Sequence, residues 1–152
     1  MISRGLFLAI AGLSLASCDG VAPENAHTVP EVIADLSSEQ SKLDGKIVAV
    51  RGWLGECAGL DCGIYQSLED ARLVESGDYR STEWLAAMDR RLAVGSSEGF
   101  GLVASTMQFS EVVIYGEANA AWLKPVGEDE TKFMCLDRCD DIKPHSIEKV
   151  LF

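Results

Sequence analysis

Four cysteines stand in two close pairs, Cys57 with Cys62 and Cys135 with Cys139, and thiols so arranged support three kinds of chemistry. Under oxidising conditions an even set reads as structural disulfides. Four converging thiolates would hold zinc, although these spacings follow the usual zinc pattern only loosely. A redox centre needs a thiol of depressed pKa, and neither pair is a C-x-x-C within a thioredoxin-like βαβ unit. Four cysteines allow three connectivities. Pairing within each loop asks only for tight turns and is the expected arrangement; joining one loop to the other would make a clamp. Loops this short contribute less chain-entropy stabilisation than the roughly 3 kcal/mol of a 15-residue loop. Such bonds would act by fixing loop shape.

Other chemistry is thin. The two histidines, His27 and His145, have no motif around them for a Ser-His-Asp or Cys-His set. Gly99-Phe100-Gly101 lacks the Lys-Ser/Thr that completes a phosphate loop. Glu128, Asp129 and Glu130, then Asp137, Asp140 and Asp141, crowd the second cysteine pair without the D-x-D-x-D-G spacing of a calcium loop. No catalytic set, metal site or cofactor is expected from these residues. Three aromatic residues, Trp53, Tyr65 and Tyr115, fall on strand-like segments. Each can pack in a core or offer a stacking surface to a ligand.

The fifth cysteine closes a different pattern. Residues 1–4 are short and basic, and residues 5–16 are apolar. That length suits a secretory signal and falls short of the roughly 20 apolar residues of a membrane span. The run Leu15-Ala16-Ser17-Cys18 resembles the lipobox of bacterial lipoproteins. The resemblance implies that residues 1–17 are a signal peptide and that Cys18 is lipidated. The mature chain is then a membrane lipoprotein of the bacterial cell envelope, facing the periplasm, where thiols oxidise. Acyl chains contributing about 0.8 kcal/mol per buried methylene would hold it stably. Residues 18–30 read as the lipidated cysteine and a tether, and residues 31–152 as one domain. Ten tether residues reach about 18 Å, so the domain would stay close to its bilayer.

Charge narrows the partners. Asp and Glu number 24 against 13 Lys and Arg, a formal net charge of −11. Such a balance repels nucleic acid, and no basic stripe interrupts it. An anionic lipid surface is repelled as well, so contact with the membrane is expected through the lipid anchor.

The elements that must position these residues are mostly strands. Thr28 and Pro30 open a helix, with Val29, Val32, Ile33 and Leu36 on one face. Strands are expected at 46–54, 62–67, 91–96, 111–118 and 146–152, the fourth extending toward Trp122. Gly52 points to a bulge or strong bend in the first. Residues 68–80 read as a loop, 81–90 as a helix, and 98–110 as a short helix or turn. Two phrases, Leu43-Asp44-Gly45-Lys46-Ile47-Val48-Ala49-Val50-Arg51-Gly52-Trp53-Leu54 and Glu111-Val112-Val113-Ile114-Tyr115-Gly116-Glu117, resemble strands of OB-fold domains in bacterial envelope and lipoprotein families. The resemblance implies a mainly β fold with short helices, a small five-stranded OB-fold-like Greek-key barrel. Together with the lipobox and the missing catalytic set, this strand pattern leads to the expectation of a non-enzymatic module for a protein or glycan partner, with loops flanking the binding face. The competing expectation is an envelope thiol-redox or zinc protein built on Cys57, Cys62, Cys135 and Cys139.

Overall fold

Val48, Val50 and Leu54 alternate with Ala49, Arg51 and Trp53 along strand β2 (Ile47–Leu54), and this period of two divides the molecule into two faces. The first set is buried in the main hydrophobic core, while the second lines the opposite side of the sheet. The computed structural model describes residues 25–57, 62–97, 99–121, 123 and 140–151. The signal segment with Cys18, most of the tether, Trp122, residues 128–130, Cys135, Asp137 and Cys139 lie outside the described residues.

Around β2 lie β1 (His27–Thr28), β3 (Gly63–Tyr65), β4 (Arg91–Ala93), β5 (Glu111–Ala118) and β6 (Ile142–Lys149). Their order is β4-β3-β2-β5-β6, antiparallel throughout, with β1 pairing in parallel with Val50 and Arg51 of β2. The architecture is mainly antiparallel sheet with short helices. The sheet is open rather than a barrel closed by a continuous ladder, and β1 adds a sixth strand to the five expected.

Helix α1 (Val29–Leu36) buries Val29, Val32 and Leu36 in the core. Its first turn holds Pro30, and the Glu31 carboxylate accepts the Thr28 N–H at 2.7 Å. Beyond it, Asp35 Oδ1 accepts from the Ser41 hydroxyl and from the N–H groups of Lys42 and Leu43, at 2.6–2.9 Å. Those bonds hold the turn that feeds β2. Helix α4 (Phe100–Ser105) adds Phe100 and Ala104 to the same core.

Three expectations change. Residues 68–80 are not all loop, because α2 (Leu68–Glu75) occupies the first part. It buries only Asp70 and Ala71, so it carries no apolar stripe for a periodicity to reveal. Gly52 is no bulge: β2 and β5 pair without interruption from Ile47↔Glu117 to Trp53↔Glu111. A Cβ there would instead stand 2.6 Å from the Tyr65 carbonyl oxygen and 2.8 Å from Val29 Cγ2. The register shift falls between Tyr115 and Gly116, against β6. Finally, the closing strand starts at Ile142, with Pro144 inside it, and β5 ends at Ala118. Proline is tolerated because β6 is an edge strand and Pro144 sits beside that irregularity.

The two ends of the strand order meet at one seam. Val94 and Ile142 form an isolated parallel bridge, and the Gly95 N–H donates to the Ile142 carbonyl at 2.9 Å. Asp141 N–H donates to the Ala93 carbonyl at 3.0 Å, while its Oδ2 accepts the Ala93 N–H at 2.7 Å. Burial pushes the Asp141 carboxyl up to about 6, against the opposing pull of the Ala93 N–H and nearby Arg91. Gly95 leaves room there for the Asp140 carboxylate.

Two outcomes follow from this packing. Gly52→Ala forces a methyl into backbone and core atoms, and should cost about 1–3 kcal/mol in urea unfolding. An unchanged midpoint would contradict the close approach. At the seam, folding raises the Asp141 pKa, so ionisation works against the fold above about pH 6 and this opposition is relieved as the pH falls toward 4. The effect is worth at most about 3 kcal/mol. Asp141→Asn keeps an acceptor for Ala93, so its stability relative to the wild type should rise between about pH 4 and pH 8. Parallel pH profiles of the two proteins would contradict this.

Candidate functional site

On the sheet face away from the main core, four residues stand in register across four strands. Arg91 pairs with Tyr65, Tyr65 with Trp53, and Trp53 with Glu111. Directly paired residues share a face, so the row is a consequence of register. Arg51, two residues before Trp53, joins Glu111 in an ion pair at 2.7 Å. Of the aromatic candidates, Trp53 and Tyr65 are brought together, but Tyr65 is buried at 1% exposure while Trp53 is half-buried. Tyr115 shares their face but lies four residues along β5 from Glu111, opposite Ala49, about 13 Å down the strand.

A helical hairpin walls one end of this row. Helix α2 begins at Ser67, whose hydroxyl accepts the Asp70 N–H at 3.0 Å, and α3 (Thr82–Met88) begins at Ser81, which accepts the Trp84 N–H at 3.1 Å. Arg90, just past α3, grips the buried Asp70 carboxylate with Nη2 at 2.6 Å and Nε at 3.2 Å. Arg90 holds the Asp70 carboxyl below the usual carboxylate range despite its burial. Trp84 Nε1 donates to the Val74 carbonyl at 3.0 Å, and the Trp84 ring meets Tyr79 edge to face with centroids 5.2 Å apart.

Between hairpin and sheet lies a cleft of about 390 Å³, lined by Tyr65, Tyr79, Trp84, Met88, Arg91, Glu56 and Glu75 among others. Glu75 Oε1 accepts the Glu56 N–H at 2.9 Å, tying the hairpin to the loop after β2. Arg91 Nη1 lies 3.7 Å from Met88 Sδ. A smaller hollow of about 220 Å³ sits at the other end of the row, against Trp53, Arg51, Gln66 and Glu111. The row is thus flanked by a cavity at each end.

Cys57 and Cys62 are joined in a disulfide, so neither bonds to Cys135 or Cys139. In that state they have no thiolate for a metal, which removes them from a four-cysteine zinc centre. The bond lines a third cavity of about 360 Å³ with Val94, Phe100 and Leu102. Among the described residues, no three His, Cys, Asp or Glu side chains gather to hold a metal ion. Among them, too, no helix is long and apolar enough to cross a membrane.

Tyr79, Glu56, Glu75 and Arg91 escape a reading of the sequence as site residues. The available signal was local: Ser67 followed by Glu69 and Asp70 is a helix start, and a helix there faces Tyr79 and Trp84. The Asp70 pair is the joint on which the cleft depends. Asp70→Asn should lower stability by about 1–3 kcal/mol at neutral pH, read from urea midpoints. Because the Asp70 carboxyl is held low, the difference between the two proteins should disappear as acid protonates it. An equal midpoint at neutral pH would contradict this role.

No family model, no curated protein and no solved structure matches the chain.

Proposed function

We propose that this chain is a lipid-anchored cell-envelope binding module, non-enzymatic, that engages a protein or glycan partner through the outer face of its sheet. The observation that carries the reading is the row Arg91, Tyr65, Trp53 and Glu111 aligned across four strands, with Tyr65 buried in its middle and a cavity at each end. Binding sites are concave and combine apolar surface with a few placed polar groups, as this face does. The OB-fold-like barrel is part of the proposal. The strand order, the placement of α4 before β5, and the parallel bridge between the two ends of the order support it. The anchor rests on the Leu15-Ala16-Ser17-Cys18 motif, and the acidic surface sets the domain against anionic lipid and nucleic acid.

A second reading, envelope thiol-redox chemistry, draws on the placement of the Cys57–Cys62 disulfide at a cavity. It requires reversible reduction in the native protein and a low-pKa thiol in the reduced form. A bond inert to glutathione until the protein unfolds would remove it.

The binding-module reading is tested on the full chain in bacterial cells. The intact mass of the detergent-extracted protein should show loss of residues 1–17 and a lipid adduct on Cys18. A photo-crosslinking residue at Gln66, beside the row, should trap a partner in the envelope, whereas one at the exposed Leu102 on α4 should not. An unprocessed, unlipidated chain would contradict the anchor. Equal trapping from both positions would contradict the face.

A further inference from the structure

We propose that the cleft between the α2–α3 hairpin and β3–β4 is a binding site for a neutral, hydroxyl-rich sugar ring, an end or branch of an envelope glycan. The assignment rests on the binding-module reading above and names its ligand.

The lining decides the class. Two carboxylates, Glu56 and Glu75, and one guanidinium, Arg91, face the same cleft of about 390 Å³. An anion would meet the two carboxylates, and a cation would meet Arg91. A neutral ligand that both donates and accepts suits both, and a sugar hydroxyl does each at one oxygen.

The rings supply the second half of the argument. Tyr79 is 70% exposed at the rim and meets the Trp84 ring edge to face. Trp84 has its indole N–H engaged with Val74, so it is the carbon surface of that ring that the cleft meets. Met88 continues the apolar surface inward, and the buried Tyr65 lies beneath it. Apolar ring surface beside clustered polar groups matches a pyranose, whose C–H face stacks while its equatorial hydroxyls reach sideways. The volume lies at the low end of the range for small-molecule sites, about 300–1,000 Å³. The cleft is therefore sized for one or two sugar units rather than for a long chain.

The walls are built to keep this shape. Asp70–Arg90 locks the two helices to each other, and the Glu75–Glu56 contact locks the hairpin to the loop after β2. Neither bond involves Tyr79; its ring contact with Trp84 is lost in Tyr79→Ala and kept in Tyr79→Phe, so the urea midpoint of the alanine variant is measured beside its binding.

The test uses the full-length, detergent-extracted protein in a zwitterionic detergent without a sugar headgroup. Tryptophan fluorescence is titrated with cellotetraose, maltotetraose and the N-acetylglucosamine tetramer, and with chitosan and galacturonate tetramers as cationic and anionic counterparts. At least one neutral tetramer should give a saturable change at millimolar concentration, with both charged tetramers weaker. Tyr79→Ala should weaken that binding about tenfold, whereas Tyr79→Phe, which keeps the ring, should retain it. No saturable response to any neutral tetramer, preference for a charged one, or a Tyr79→Ala protein that titrates like the wild type would overturn the proposal. If the sugars fail while the Gln66 crosslink persists, the ligand is wrong and the binding module stands. If the crosslink fails while a neutral tetramer binds through Tyr79, the sugar site stands on its own.

Discussion

Everything in this molecule hangs on the register of β2. Its alternation sends Val48, Val50 and Leu54 into the core and leaves Arg51 and Trp53 on the other side. A slip of one residue would exchange the two sets, burying a guanidinium and exposing the valines. The penalty for that exchange pins β2 against both neighbours at once. Because Trp53 is fixed opposite Tyr65 and Glu111, the row across the outer face needs no device of its own. Core packing and site geometry are the same constraint seen from two faces.

The remaining elements complete the two faces separately. Helices α1 and α4 cover the core side with Val29, Val32, Leu36, Phe100 and Ala104. The α2–α3 hairpin covers Tyr65 on the other, held by the Asp70–Arg90 pair, the Trp84–Val74 and Glu75–Glu56 hydrogen bonds and the small buried Ala71 and Ala87. A helix pair attached in this way gives a walled cleft with polar edges. The seam between β4 and β6 has a different character. There a buried carboxylate stands where it must be desolvated, in return for binding a backbone N–H that the end of β4 would otherwise leave unpaired.

Much of the framework was legible in the residues. β2 and β5 are β-branched, alternating and flanked by turn residues, and α1 announces itself through Thr28, Pro30 and its apolar stripe. α2 was not, because a helix that buries only Asp70 and Ala71 owes its place to Arg90, which is remote in sequence. β6 was misplaced because Pro144 reads as a strand breaker until an edge position and an irregular register excuse it. The site shows the same divide. Trp53 and Tyr65 stand out as strand aromatics, whereas Arg91 joins them only through the β3–β4 pairing that spans the whole hairpin. Local signals name residues, and long-range pairing decides which of them meet.

The most direct measurement of the account is amide hydrogen exchange of the full chain in its native membranes, compared with the same chain after extraction from them. A partner bound to the outer face should protect β3, the α2–α3 hairpin and the start of β4, and leave α4 unchanged. Equal exchange of those segments in both states, or protection centred on α4 and the Cys57–Cys62 loop, would contradict the claim that this face is where the protein does its work.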